Sequence, residues 1–591
     1  MVKSYTIGYT NWQFMSGLQQ NLLDNGHKLN VYLHNLPDNL LTMKEERLGK
    51  NSKNVKFFNK NTKEEFIKSC DFIVSDNPYC PIHDGLIEKH PYIVCPTPQF
   101  SILEDDRELG KRLAKLCGLS IPPSGHTFYI KQDSIDFLKN SKDGKYVLKG
   151  HNHTFIAPSR EDAINFIEQD IYGWFNKTKP YLYIEGFVEG YEVAFGCFFN
   201  GEEILDLSLV TCEYKGAQNE DRSFVLTGEV GTSLLWRHFT DYPRAVQTTL
   251  KMAARIAKSN GYKGFIDINT IITPEKNNKY TINFLEFTTR PGIPTEFEIC
   301  SFWGKDYANW LAYLSGYNKN FDVPKQCYTK VGIAGALFSQ GLGLSEREPK
   351  YKPLITGIKD AKKYCDVILQ DSYEFKSANH KEVQYCVSNW DRALYCVKYT
   401  DEKQFLKHPG VFVSSVRYAL KSLKCWGHTY RDDIGNNLED TIYLLNKIKI
   451  SEQKYSTVKG KFGFSYIKDF TDTKWMRLLD NIAFNNYELS WNSFSKLDKY
   501  VGLYCEDYKE FIGFITYKQL KNCIYLKNIC RIPLDRYMNT GQILLTNWLE
   551  DNKNSKIKLE CIPELVFYYK MFGFKEVKKV DNQVIMVKNP D

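Results

Sequence analysis

The 591-residue sequence has no apolar run approaching the roughly 18 residues that a membrane helix needs. Its first residues, MVKSYTIGYTNW, lack the apolar segment of a signal peptide. Membrane insertion and secretion are therefore not expected, and the chain reads as cytoplasmic. There are 16 cysteines but no C-x-x-C pair, which argues against a zinc or disulfide framework and for free thiols in a reducing compartment. The first turn, IGYTNWQF, lacks the G-x-G-x-x-G spacing, so a dinucleotide site there is unsupported. Internal repeats and long low-complexity tracts are missing. So is a strong charge of either sign: the net charge of +8 permits a nucleic-acid partner without arguing for one, and stretches such as GKNSKNVKFFNKNTKEE read as solvated surface.

What is present is too long for one core, and about three or four domains are expected. The fold class is α/β and α+β multidomain. In residues 1–100 the short strands SYTIGY, KLNVYLH, CDFIVSD and YIVCPT alternate with helical segments, one of them MSGLQQNLLDNGHK closed by Gly26. That alternation predicts a parallel sheet. Residues 101–324 open with one helix over LEDDRELGKRLAKLCG, its Leu109, Leu113 and Leu116 on one face and Gly118 as the stop. Strands YVLKG, YLYIE, EVAFGCFF, GFIDINTIIT and YTINFLEF follow, together with a helix opened by a capping box at Ser159 to Asp162. Residues 325–440 form a small mixed β part, 441–460 a polar connector, and 461–591 a second α/β pattern.

Chemistry concentrates in NFLEFTTRPGIP, residues 283–294. Alternate residues of a strand share a face, so Glu286 and Thr288 point the same way, as do Asp267 and Asn269 on the preceding strand. Antiparallel pairing of the two strands would gather four oxygen-bearing side chains. Such a set suits a hard divalent ion, or is simply a polar strand end. Lys149 ends its strand beside a loop, where an ammonium can reach phosphate oxygens. Arg107 stands near the start of its helix. Glu185 precedes the hinge Gly186, Phe187 and Val188, whose backbone could read an adenine edge. Glu192 lies where a carboxylate could accept ribose hydroxyls.

In this order the segments resemble an ATP-grasp ligase, the phosphoribosylamine–glycine ligase (glycinamide ribonucleotide synthetase) family in particular. CPTPQFSILEDDRELGKRLAKLCGLSIPP is similar to the segment leading into the ATP-grasp domain, YIEGFVEGYEVAFG to the hinge and ribose strand, and EYKGAQNEDRSFVLTGEVG to the substrate loop. FLEFTTRPGIP resembles the metal strand and YRDDIG the closing motif. The resemblance spans residues 1 to about 440. It implies a pre-ATP-grasp domain over 1–100 and an ATP-grasp domain over 101–324. It implies that Lys149 and Arg107 hold ATP phosphates, and that Glu185 with the backbone of Gly186, Phe187 and Val188 holds adenine. Glu192 would take the ribose, and Glu286 with Asp267 and Thr288 would bind Mg2+. Arg290 would be catalytic, stabilising an acyl phosphate or the carboxylate substrate. The implied reaction activates a small amino acid with ATP and joins it to an amine.

The sequence departs from that family in four places. Arg107 stands where lysine is usual, and Thr288 where the second metal ligand is an asparagine. The Gly-rich phosphate loop is replaced by GHNHTF, which has less backbone freedom. The Gly-Pro-Glu type motif for the substrate phosphate is replaced by SDNPYCP, which points to an amine other than phosphoribosylamine.

Residues 461–591 resemble a GNAT N-acyltransferase. CIYLKNICRIP leads into the helix of RYMNTGQILLTNWLED, and the chain closes with IPELVFYYKMFGFKEVKKVDNQVIMVK. The resemblance implies pyrophosphate binding by the loop carrying Arg536, Asn539 and Gly541, with acetyl-CoA the expected acyl-CoA. Tyr569 falls where the family often places the acid for the departing thiolate; tyrosines there also simply pack a core. The reading reached from sequence is thus a ligase fused to an N-acyltransferase. Two alternatives stand beside it: a viral enzyme attaching an amino-acid-derived group to a nucleobase of DNA, and a non-catalytic nucleotide-binding scaffold.

Overall fold

The computed structural model describes residues 4–10, 16–33, 52–75, 89–123, 125–150, 154–170, 173–175, 180–216, 226–275, 280–339, 353–370, 372–375, 384–387, 392–452, 464–468, 499–505, 510–531, 540–561, 563–580 and 583–590. The chain divides into two units, Met1–Ala254 with Gly261–Lys454, and Arg255–Asn260 with Tyr455–Asp591.

The first unit begins with a five-stranded sheet in the order Val55–Phe58, Lys28–Tyr32, Thr6–Thr10, Phe72–Ser75 and Ile93–Val94. Every pairing in it is parallel. The strands are short and apolar: Ile7, Leu29, Val31, Phe72 and Ile73 are fully buried, as strands covered on both faces must be. The helix Ser16–Asp24 ends before Gly26, whose φ of +81° supplies the left-handed turn into the next strand.

Two further sheets carry the site. A four-stranded antiparallel sheet runs His126–Phe128, Leu182–Gly186, Tyr146–Lys149, Thr154–Ala157. A larger antiparallel sheet begins Tyr280–Thr288, Gly264–Pro274, Tyr191–Phe199, Ile204–Gly216, Leu226–His238. It continues through Lys330–Ser339 and Arg392–Asp401, so one sheet crosses the boundary expected at 324/325. The expected connector over 441–460 begins instead inside the helix Leu438–Glu452.

The helix expected over LEDDRELGKRLAKLCG is two helices, Pro98–Asp105 and Arg107–Leu116. Asp106 breaks it: its backbone leaves the helical region, and its carboxylate accepts the Leu109 N–H at 3.1 Å as a new N-cap. The second helix therefore starts at Arg107. Its Leu109, Leu113 and Leu116 are buried together, as the spacing predicts. At Ser159 the hydroxyl accepts the Asp162 N–H at 3.1 Å, capping the helix Arg160–Gln169.

The second unit holds a seven-stranded sheet. Its pairings are antiparallel except between Ile524–Arg531 and Ile557–Cys561, which run parallel. The helix Thr540–Asp551 lies between these two in sequence, as a parallel connection requires. No helix among the described residues is long and apolar enough to cross a membrane. The described cysteines are free thiols, most of them buried.

Candidate functional site

The strands Gly264–Pro274 and Tyr280–Thr288 pair antiparallel, placing Asp267 opposite Thr288 and Asn269 opposite Glu286. All four side chains line one cavity of about 330 Å³. The core face of the first strand is apolar, with Ile266 and Ile268 fully buried. On the second strand Phe284 and Phe287 are both fully buried, which strict alternation forbids. A register shift opposite Asn269 and Thr270 resolves the conflict. Leu285 is the extra residue, a bulge that turns it and Glu286 toward the cavity while both phenylalanines stay inside.

Cations reach the site from the helix Arg107–Leu116, which packs on the strand Tyr280–Thr288. Gly110 permits this approach: a Cβ there would lie 2.7 Å from the Leu103 carbonyl oxygen and 3.2 Å from Phe287. Arg107 donates Nη1 to Oε2 of Glu286. One turn on, Lys111 donates to Oε2 of Glu185, whose Oε1 lies 2.9 Å from Lys149 Nζ. All three partners of this Lys–Glu–Lys cluster are buried. Burial pushes Glu185 up, but Lys149 and Lys111 outweigh it and hold the carboxyl below its ordinary value. Burial, with Lys149 beside it, pushes Lys111 down to about 8. Glu286 is likewise held well below the carboxylate range, because Arg107, Lys149 and Lys215 outweigh its burial.

The other end of the cavity is acid-rich. Lys215 Nζ lies 2.5 Å from Glu192 and 2.9 Å from Glu213, and these partners raise its pKa against the burial that lowers it. Burial, then Glu213, pushes both Glu229 and Asp267 well above the usual carboxylate range. The strand carrying Glu213 and Lys215 is pinned by the YRDDIG motif. Arg431, fully buried, pairs bidentately with Asp433 at 2.8 and 2.6 Å and donates to the Gly216 carbonyl at 2.9 Å. The Gly435 N–H donates to the Tyr214 hydroxyl at 2.7 Å. Glu104 anchors the end of the metal-candidate strand, accepting the Thr289 N–H and hydroxyl at 3.0 Å each and lying 3.3 Å from Arg290.

Of the residues singled out from sequence, Lys149, Glu185, Gly186, Phe187, Val188 and Glu192 line this cavity, as do Asp267, Glu286, Thr288 and Arg290. Arg107 touches it through Glu286. Two of them meet protein partners: each oxygen of Glu185 faces a lysine, and Arg107 faces the Glu286 carboxylate. In the hinge, the Gly186 N–H donates to the Pro123 carbonyl at 2.9 Å and the Phe187 N–H to that of Lys145 at 3.0 Å. Val188 itself lines the cavity.

Lys111, Glu104, Glu213, Lys215 and Glu229 were not singled out. A signal existed for two of them: Lys111 is one helical turn from Arg107, and Lys215 shares a strand face with Glu213. In the second unit Gly541 sits in the first turn of the helix Thr540–Asp551. Arg536 and Asn539 lie outside the described residues. Tyr569 is 6% exposed, with its ring against Tyr568 and Phe574. That is the packing arrangement, and burial, the largest influence, raises its pKa.

Among the described residues no three His, Cys, Asp or Glu side chains are placed to share a metal ion. The donor set on the paired strands nevertheless fits one. Oδ1 of Asp267 and Oδ1 of Asn269 are buried without a hydrogen-bond partner, and Glu286 and Thr288 stand opposite them. Two carboxylates and neutral oxygens are the ligands Mg2+ accepts when phosphates complete its shell.

No protein-family model matches the chain, and no curated protein does. Solved structures similar to it include three synthetases and ligases. N5-carboxyaminoimidazole ribonucleotide synthetase from Thermotoga maritima is 15% identical, with 71% of this chain and 99% of that one covered and a TM-score of 0.42. Phosphoribosylglycinamide synthetase from Anaerococcus prevotii is 13% identical, covering 72% and 99%, with a TM-score of 0.42. L-amino acid ligase from Bacillus licheniformis is 12% identical, covering 72% and 99%, with a TM-score of 0.44.

Proposed function

We propose that the first unit is an ATP-dependent carboxylate–amine ligase that activates a small amino acid and joins it to an amine. One observation carries the reading. Residues from four segments of the sequence, around 149, 185–192, 267 and 286–290, chosen for nucleotide, metal and carboxylate chemistry, line a single cavity.

In this reading Val147, Ile156 and Leu285 supply the apolar walls for a base, and the Val188 backbone its edge contact. Glu192 accepts ribose hydroxyls. Lys149 turns from Glu185 toward the phosphates, and Lys111 keeps Glu185 neutralised when it does. Asp267, Asn269, Glu286 and Thr288 are the residues that would hold Mg2+, which when bound neutralises phosphate charge. Arg290 receives the carboxylate substrate. Positioning and charge neutralisation do most of the work. The γ-phosphoryl group of ATP passes to the carboxylate and ADP leaves; the neutral amine attacks that carbonyl carbon, phosphate leaves with the bonding pair, and the proton lost from nitrogen goes to the departing phosphate or to solvent. For the second unit we propose an N-acyltransferase module using acyl-CoA at the start of the helix Thr540–Asp551, with Tyr569 as a core residue.

The test is a screen for ADP release over amino acids and amine acceptors with the full chain. ADP release that requires both substrates supports the ligase. Turnover that needs neither contradicts it, and no turnover with any pair contradicts it and favours a nucleotide-binding scaffold.

A further inference from the structure

The acid-rich end of the cavity contains a carboxyl group that the steps above do not use. Glu229 lines the cavity beside Glu213, Lys215 and Gly292. Lys215 is already shared between Glu192 and Glu213. Oε2 of Glu229 is buried without a hydrogen-bond partner, and Glu229 has no ion-pair partner among the described residues. Arg392 donates Nε to the Glu229 backbone carbonyl at 2.5 Å. Behind it stands Glu298 on the helix Ile293–Trp303, fully buried, neither of its carboxylate oxygens hydrogen-bonded. Asp267, 5% exposed at the same end, also has an oxygen without a donor. Gly292 keeps the approach to Glu229 clear: a Cβ there would lie 2.8 Å from both carboxylate oxygens.

We propose that this end of the cavity binds a substrate's protonated amine, with Glu229 as its anchor and Glu213 as the second acceptor. The proposal rests on the ligase reading and names the charge state in which one substrate is recognised. An ammonium group carries three donors and no acceptor, which matches a set of acceptors short of one cation. The residues that would hold a metal ion lie on the paired strands Gly264–Pro274 and Tyr280–Thr288, to which Glu213 and Glu229 do not belong. The groups facing Glu229 are Glu213 and Lys215 from one strand, Arg392 from another and Glu298 from the helix. Burial first, then Glu213, raises its pKa, against the smaller opposing effects of Lys215 and Arg392. A protonated amine beside it makes ionisation favourable.

That amine has two sources: the α-ammonium of the activated amino acid, or the acceptor, whose ammonium would give a proton to the Glu229 carboxylate before its nitrogen attacks. The experiment separates them in the full chain, comparing wild type with Glu229→Gln, an isosteric neutral change, and Glu229→Asp. Glycine and N-acetylglycine are the carboxylate probes. Ethylamine and the uncharged hydroxylamine are the acceptor probes. We expect Glu229→Gln to lose about tenfold or more in kcat/KM with the ammonium-bearing probe of one pair, mainly through KM, and to keep its activity with the uncharged probe of that pair. Glu229→Asp should recover part of the loss, and the affinity for ATP should not change. A loss confined to glycine identifies the donor, and one confined to ethylamine the acceptor. Equal loss with charged and uncharged probes, or no loss at all, overturns the proposal. A wild-type chain that releases no ADP with any probe removes the ligase reading and this one with it.

Discussion

The two ends of the cavity are charged on opposite principles. At the end formed by the helix Arg107–Leu116 and the hinge, each acid has its cation: Glu185 holds two lysines and Glu286 holds Arg107. At the other end Glu192 and Glu213 share Lys215, while Glu229 and Asp267 have no ion-pair partner among the described residues. In the proposed ligase, the balanced cluster keeps its cations poised for phosphates, and the unbalanced one is compensated when positive charge arrives with a ligand. That division is what a site joining a polyanion to an amine would require.

The largest effect expected is on turnover. Glu286→Gln removes the carboxylate that both Arg107 and the metal-candidate set depend on. ADP release should fall by about 100- to 1,000-fold, read by a coupled assay. Unchanged turnover would take Glu286 out of the site.

Stability should then separate the two ends with opposite signs. Glu185→Leu leaves Lys111 and Lys149 buried without their anion and should cost about 3 kcal/mol or more in urea denaturation, with Lys111→Met restoring part of the loss. Glu229→Gln should stabilise the free protein, by about 1 kcal/mol. The signs follow from proton binding. The Glu185 and Glu286 carboxyls lie below their ordinary value of 4.5 in the fold, so their contribution is present above that value and lost as pH falls below it. Glu229 is raised, so the fold retains a proton that the unfolded chain releases. Its contribution is lost as pH rises through the raised value, and the advantage of the glutamine variant should grow with pH. An advantage that shrinks with pH would contradict this assignment.

The narrowest effect, confined to one pH window, concerns Lys111. With its pKa near 8 against an ordinary 10.5, the unfolded chain binds more protons between those values. Stability should rise with pH over that window, and Lys111→Met should abolish the rise in a pH series of melting curves.

Much of this site was legible before the coordinates. Alternation alone put Asp267, Asn269, Glu286 and Thr288 on matching faces, because period two is a local property of a strand. The parallel first sheet followed from short apolar strands separated by helices. What could not be read depends on partners distant in sequence. Lys111 meets Glu185 across 74 residues, and no local pattern marks either as the other's counterion. The Leu285 bulge is invisible in INFLEFT because it exists only in register with the neighbouring strand. Asp106 could have been read as a cap, but an unbroken run of helix-compatible residues concealed the break. The stretch after 440, expected to be a polar connector, instead carries Ile442, Leu444 and Ile448, buried on the helix Leu438–Glu452.

The claim underlying the account is that a nucleotide lies between the hinge and the paired strands. Photolabelling of the full chain with 8-azido-ATP, followed by peptide mapping, tests it directly. Label in peptides spanning Leu182–Gly186 to Glu192, or Gly264–Pro274, that is suppressed by excess ATP is the predicted result. Label that ATP does not displace, or that falls only elsewhere in the chain, would contradict it.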